Sequence, residues 1–128
     1  MIGALTGQSA EPGVQIANSM RMAVEEINAK GGVNGKSLEL IEEDGKCDGK
    51  ESSLAAQKLI DINNVPIIAA HCSAATLAAA PIGESKKIVI FGLLASNPQI
   101  SQAGDYVFRY CPTSSDEMML IADEAYNT

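Results

Sequence analysis

The sequence predicts an α/β fold: a doubly wound, mostly parallel five-stranded sheet in the order 2-1-3-4-5. Three observations predict it. Short apolar runs alternate along the chain with segments whose apolar residues recur every three or four positions, the pattern of strand–helix units. The runs are continuous rather than alternating, which suits parallel strands covered on both faces and joined by right-handed crossovers. The residues after each run are rich in Gly, Ser, Thr, Asn and Cys. Polar, irregular loops therefore gather at the strand carboxyl ends, the edge where open α/β sheets bind ligands.

The elements follow in order. Residues 1–5 form a first strand ending in Thr6-Gly7. Ile16, Met20, Ala23, Val24 and Ile27 recur at helical spacing, and Gly31-Gly32 stops that helix. After the turn Asn34-Gly35, Leu38, Leu40 and Ile41 predict the second strand. Asp48 with Glu51 three residues on reads as a capping box, and Leu54, Ala55, Leu59 and Ile62 line the helix behind it. Residues 65–70 are a third strand. Ser73 reads as the N-cap of an alanine-rich helix through Lys86, in which Pro81 predicts a kink or a late start. Residues 88–91 and 106–110 are the fourth and fifth strands. Ser114 with Glu117 reads as another capping box, opening a last helix with Met118, Ile121, Ala122 and Ala125. The loops at the ligand edge are then 6–15, 44–50, 71–75, 92–102 and 111–116. No internal repeat or low-complexity tract interrupts this order.

Composition narrows the function. The chain has 128 residues, 46% apolar and 20% charged, enough for a single domain with one core. Nine basic residues face sixteen acidic ones, a net charge of −7 that argues against nucleic-acid or anionic-membrane partners. The aromatics are Phe91, Tyr106, Phe108, Tyr110 and Tyr126, with no Trp, so base-stacking platforms are not expected. No apolar run is long enough to span a membrane. No signal peptide is read, because Met1 is followed at once by a strand-like segment. His71 is the only histidine, and no metal site is expected. Three cysteines, Cys47, Cys72 and Cys111, allow three pairings.

Several motifs together carry a resemblance. Ala23-Val24-Glu25-Glu26-Ile27-Asn28 followed by Ala29-Lys30-Gly31-Gly32-Val33-Asn34-Gly35-Lys36 resembles the N-terminal lobe of the branched-chain amino-acid-binding proteins, type I periplasmic binding proteins that serve ABC importers. Leu5-Thr6-Gly7 is similar to that family's first ligand loop, and Glu43-Asp44-Gly45-Lys46-Cys47-Asp48 to its acidic second-strand end. His71-Cys72-Ser73-Ala74-Ala75-Thr76, Ala95-Ser96-Asn97-Pro98 and Tyr106-Val107-Phe108-Arg109 are similar to its third, fourth and fifth strand motifs. The likeness runs over nearly the whole chain.

The resemblance implies a single α/β lobe over residues 1–128, about the first third of a two-lobed protein, with the second lobe absent. It implies a non-enzymatic solute-binding component that takes an amino acid or related small carboxylate. It also implies no cofactor, a periplasmic or extracellular location, and a cognate ABC permease as partner of the full-length protein. It pairs Cys47 with Cys72 and leaves Cys111 free. Such a bridge closes a loop of about 26 residues, worth roughly 3.5 kcal/mol in the chain-entropy model, and points to an oxidising compartment.

The site residues come by the same route. The Ser73 hydroxyl and the helix amides behind it hold a ligand carboxylate, as helix N-termini favour anions. Thr76 stands one turn further on, where it either helps or lies on the helix surface. The Leu94 carbonyl and the Ser96 hydroxyl accept from a ligand ammonium, with Ala95 between them, and the Ser96 amide gives to the carboxylate. The other reading of that segment is a plain Asx-type turn at Ser96-Asn97-Pro98. The family has small residues where Leu94 stands. Pro12 falls where relatives often place an aromatic over the ligand side chain. The family's carboxylate that pairs with the ammonium lies in the second lobe.

Three other readings compete with this one. A type I ligand-binding sensor domain of a receptor is a variant of the same idea. A standalone flavodoxin-like FMN-binding module would use Thr6-Gly7-Gln8-Ser9 as a phosphate loop. Against it, Ala4 replaces the usual hydroxyl and Glu11-Pro12-Gly13 interrupts the helix start. An enzyme would need a base beside a nucleophile, and His71 next to Cys72 and Ser73 is the only such group. Finally, Met118-Met119-Leu120-Ile121 is too wide an apolar run for one amphipathic face, and Phe108 and Tyr110 alternate on an edge strand. Self-association as a homodimer is therefore expected.

Overall fold

Ile2, Ile68 and Ile90 lie fully buried on one face of a five-stranded sheet. The computed structural model describes residues 1–127. Its strands are β1 (Ile2–Gly3), β2 (Glu43–Asp44), β3 (Ile67–His71), β4 (Val89–Leu93) and β5 (Val107–Arg109). They run parallel in the order β2-β1-β3-β4-β5, as the alternation of segments predicts. Three helices join them, α1 (Ala10–Ala29), α2 (Gly49–Asp61) and α3 (Ser73–Lys86), and α4 (Ser114–Asn127) follows β5. A short 3-10 helix, Pro98–Gln102, breaks the long loop between β4 and β5.

The core sits between the sheet and the α2–α3 pair. Side chains alternate across a strand, so Ile68, Ala70 and Ile90 face the same way and meet Ala55, Ala56 and Leu59 of α2 and Ala75 and Ala79 of α3. Small residues on both helices let them seat close to the strands. Chain growth reverses after β2, so right-handed crossovers put α1 on the opposite face. There Gly13 touches β1: a Cβ at that position would sit 2.0 Å from the Ala4 carbonyl oxygen. Pro12 occupies the first turn of α1, where its missing N–H has no intrahelical partner to lose. Glu11-Pro12-Gly13 therefore does not interrupt the helix, contrary to the sequence expectation.

Further expectations are corrected. The second strand forms at Glu43–Asp44, not at Leu38–Ile41. The Asn28 side chain takes both backbone groups of Leu38, donating to its carbonyl at 2.9 Å and accepting its amide at 2.7 Å. The chain first meets the β1 segment where the Met1 amine donates to the Ile41 carbonyl, and the ladder continues with the Glu43 amide on the Met1 carbonyl and the Gly45 amide on the Gly3 carbonyl. Helix α3 begins at Ser73 despite Pro81, so the late start does not occur. One missing intrahelical bond is outweighed by burial of Ala75, Thr76, Ala79, Ala80 and Gly83 along its inner face. Its N-cap is Cys72, in a left-handed conformation at φ 73°, and Ser73 is the first helical residue. At α4 the capping box is one residue early. Thr113 Oγ accepts the Asp116 amide at 3.0 Å, and the Asp116 carboxylate accepts the Thr113 amide at 3.1 Å. Ser114 with Glu117 does not form it, because Ser114 is already inside the helix. At α2 the Asp48 carboxylate caps as expected, accepting the Lys50 and Glu51 amides, but the box is not closed by Glu51, since the Asp48 amide donates to the Gly45 carbonyl at 2.8 Å.

Candidate functional site

The carboxyl-terminal edge of the sheet is a row of loops, each tied to the next. Asp44, at the end of β2, ties the first two. Its carboxylate accepts the Leu5 amide at 2.9 Å, the Thr6 hydroxyl at 2.5 Å and the Lys46 amide at 3.0 Å. Burial alone would raise this carboxyl, but those hydrogen bonds together outweigh it and hold the group below the usual carboxylate range. The second and third loops are tied by a disulfide between Cys47 and Cys72, with Cys111 left free, as the resemblance implies. The bridge reaches the N-cap of α3 itself.

The third and fourth loops meet at Ser73, whose hydroxyl oxygen accepts the Asn97 amide at 3.2 Å. As an acceptor there, the hydroxyl keeps its own proton to donate. The fourth loop is tied in turn to β5 and α4. The Ser114 amide donates to the Ser96 carbonyl at 2.9 Å, and the Arg109 guanidinium donates to the Asn97 carbonyl at 2.9 Å and to the Ser101 hydroxyl. Asn97 caps the 3-10 helix by accepting the Gln99 amide.

Of the residues singled out from the sequence, Ser73, Leu94, Ala95 and Ser96 come together here. Leu94 is exposed and left-handed at φ 50°, a conformation uncommon for a bulky residue. Ala95 is turned inward and fully buried. Gly92 makes room for it: a Cβ there would stand 2.9 Å from the Ala95 Cβ and 3.1 Å from the Thr76 Oγ1. Pro12 stands exposed at the same edge, in the first turn of α1.

Thr76 is not on the helix surface, contrary to that reading of the sequence. It is fully buried, and its hydroxyl donates to the Cys72 carbonyl at 2.9 Å, so it supports the helix start from beneath. The Asx turn at Asn97 does form, and it forms together with the Ser73 link.

The catalytic grouping does not assemble. Cys72 is in the disulfide, Ser73 is hydrogen-bonded to Asn97, and the buried His71 Nδ1 has no hydrogen-bond partner among the described residues. Burial also pushes the His71 imidazole below its ordinary pKa, favouring the neutral ring.

Sequence reasoning missed Asp44, Asn97 and Arg109 as organisers of the edge. Arg109 left a signal, being the single charged residue of the fifth strand. Asp44 left a weaker one, an acid at a strand end followed by glycine.

This edge can hold a small anion and a neighbouring donor group with uncharged dipoles. The first amides of α3 have no intrahelical partner, and the Ser73 hydroxyl, in that first turn, is linked to the loop at Asn97. The family described as periplasmic binding protein matches residues 1–128. The leucine-specific-binding protein of Salmonella typhimurium (strain LT2) is 33% identical over 118 residues, covering 91% of this chain and 32% of that protein. The solved structure of a leucine-binding protein from Thermotoga maritima MSB8 is 30% identical with a TM-score of 0.87, covering 98% of this chain and 35% of that one. A solute-binding protein of an ABC transporter from Rhodopseudomonas palustris BisB5, solved with 3,4-dihydroxybenzoic acid, is 29% identical with a TM-score of 0.80, covering 88% and 31%. The chain thus spans about a third of the length of the relatives it matches.

Proposed function

We propose, since the chain belongs to the periplasmic binding protein family, that it forms the N-terminal wall of a solute-binding cleft of the branched-chain amino-acid type, serving an ABC importer. The observation that carries this is the bond from the Asn97 amide to the Ser73 hydroxyl. It sets the loop at residues 94–97 beside the opening turn of α3, so that the groups for a carboxylate and the acceptors for an ammonium stand side by side. A ligand carboxylate takes the Ser73 hydroxyl, the first amides of α3 and the Ser96 amide. The Leu94 carbonyl and the Ser96 hydroxyl accept from an ammonium. Leucine and 3,4-dihydroxybenzoic acid, named for two of the relatives, share a carboxylate and differ in everything beyond it. The α3 end is therefore the constant part of the site, with Leu94 and Pro12 facing the variable part. The disulfide and the family together support a periplasmic or extracellular location.

The FMN-binding alternative loses support at Asp44. Its ionised carboxylate is bonded to Thr6, in the loop that a phosphate would have to occupy, and like charges repel there.

The test is an NMR titration of the labelled chain with leucine, isoleucine and valine. Shifts are expected at the Ser73, Ala74, Ser96 and Asn97 amides at millimolar ligand. Binding is weak because the charge partner of the ammonium belongs to the opposite wall, and losing such a partner costs about 2–5 kcal/mol. Shifts confined to other loops, or none at all with these ligands and with dihydroxybenzoate, would overturn the proposal.

A further inference from the structure

Cys72 occupies a backbone region that residues with side chains avoid. Its φ of 73° and ψ of 161° fall where essentially only glycine is at ease. Contacts on every side keep it there. Its amide donates to the Leu93 carbonyl at 2.9 Å, across from β3 to β4. Its carbonyl accepts the Thr76 amide at 3.1 Å and the Thr76 hydroxyl at 2.9 Å. Its side chain is fixed by the bridge to Cys47, which is itself left-handed at φ 55°. Backbone strain of this kind persists only where the surroundings impose it, and it gathers at ligand clamps. Leu94, just past Leu93, is left-handed as well, so the two central strands break at the same level.

The same residue leaves a helix end open. Cys72 is the N-cap of α3, yet its side chain makes no cap hydrogen bond, its sulfur being in the bridge. At α2 the Asp48 cap takes two first-turn amides, and at the 3-10 helix Asn97 takes one. At α3 the Ser73, Ala74 and Ala75 amides receive nothing from their cap.

We propose that Cys72 is a positioning residue of the candidate site, acting through its backbone: the bridge to Cys47 holds the left-handed turn, and the turn aims the uncapped α3 amides and the Ser73 hydroxyl toward the loop at residues 94–97. This rests on the reading of the α3 end as the place of a ligand carboxylate. It makes a specific demand on position 72. Once the bridge is gone, a residue without a Cβ keeps the turn and a residue with one abandons it.

The test compares the native chain with two unbridged ones, Cys47→Ser with Cys72→Gly and Cys47→Ser with Cys72→Ala. Trimethylamine N-oxide in all three samples offsets the stability lost with the bridge. Hydrogen exchange is read at the Thr76 amide, bonded to the Cys72 carbonyl, and at the Asn97 amide, bonded to the Ser73 hydroxyl. Each is taken relative to the Ile68 amide of the core strand, so that global opening cancels. The chain carrying Cys72→Gly should stay within about threefold of the native ratios, and the chain carrying Cys72→Ala should exchange at least about tenfold faster, the scale of such backbone strain. On titration with leucine, the shifts at the Ser73 and Ala74 amides should persist in the first and vanish in the second. Equal exchange in the two unbridged chains, whether native-like or loosened, overturns the proposal. So does unfolding of both despite the osmolyte, since the bridge would then be needed for the fold and not for this turn. A native chain without leucine shifts sinks the ligand reading alone, and the exchange ratios, measured without ligand, still decide whether Cys72 sets the turn.

Discussion

The Asp44 carboxylate accepts the Thr6 hydroxyl at 2.5 Å, and through that bond the loop after β1 is fastened to the loop after β2. Asp44 lies three residues before Cys47, so the same short segment is held on one side by a hydrogen-bonded carboxylate and on the other by a covalent bridge to α3. The edge is cross-linked where the chain itself is irregular. Sites of this kind bind best when their dipoles are fixed before the ligand arrives.

Asp44 makes stability depend on acid. Its folded pKa lies below that of an unfolded aspartate, about 3.9. Below both values the group is protonated in either state and contributes nothing. Its contribution is therefore full above the unfolded value and is lost as pH falls through the folded one. Asp44→Asn should cost about 1 kcal/mol near neutral pH, the partly exposed setting discounting a charged hydrogen bond. The loss should shrink toward pH 3. Urea melts of both chains at several pH values check this, and a difference constant from neutral pH to pH 3 would count against it.

The cysteines give a chemical prediction. Native chain never exposed to reductant should show one thiol by labelling and intact mass, at Cys111. Cys47→Ser with Cys72→Ser should lower stability by about 3.5 kcal/mol, the loop-entropy value for this spacing. Three reactive thiols in native material would contradict the bridge.

Helix α4 tests the cap correction. Thr113→Ala removes the hydroxyl that accepts the Asp116 amide and should destabilise the helix by about 1 kcal/mol. Ser114→Ala should leave it within a few tenths, because Ser114 is the first helical residue rather than the cap. Hydrogen exchange of the α4 amides distinguishes the two variants, and an equal or reversed effect would restore the sequence assignment.

Periodicity made part of the fold legible. The continuous apolar runs at 65–70 and 88–91 and the helical spacing before Gly31-Gly32 are local patterns, and local patterns are set by which faces must be buried. The site was half legible. Ser73, Leu94 and Ser96 could be named because they come after strand ends and match a family pattern. Asp44, Asn97 and Arg109 could not, because their partners are 38, 24 and 12 residues away and no spacing rule connects them.

The α/β class, the strand order and the disulfide pairing implied by the family likeness are all readable from the amino acids in their order. Burial and right-handed crossovers leave few other ways to arrange five apolar runs and four amphipathic segments. Where β2 begins, which residues cap α3 and α4, and that Thr76 lies inside are properties of the folded molecule. Those outcomes turn on single hydrogen bonds competing within a residue or two of each other. The Asn28 side chain took the Leu38 backbone, and the bonds to the β1 segment then fell at Ile41, Glu43 and Gly45. Such competition is settled by distance in the folded chain, which no pattern along the sequence measures.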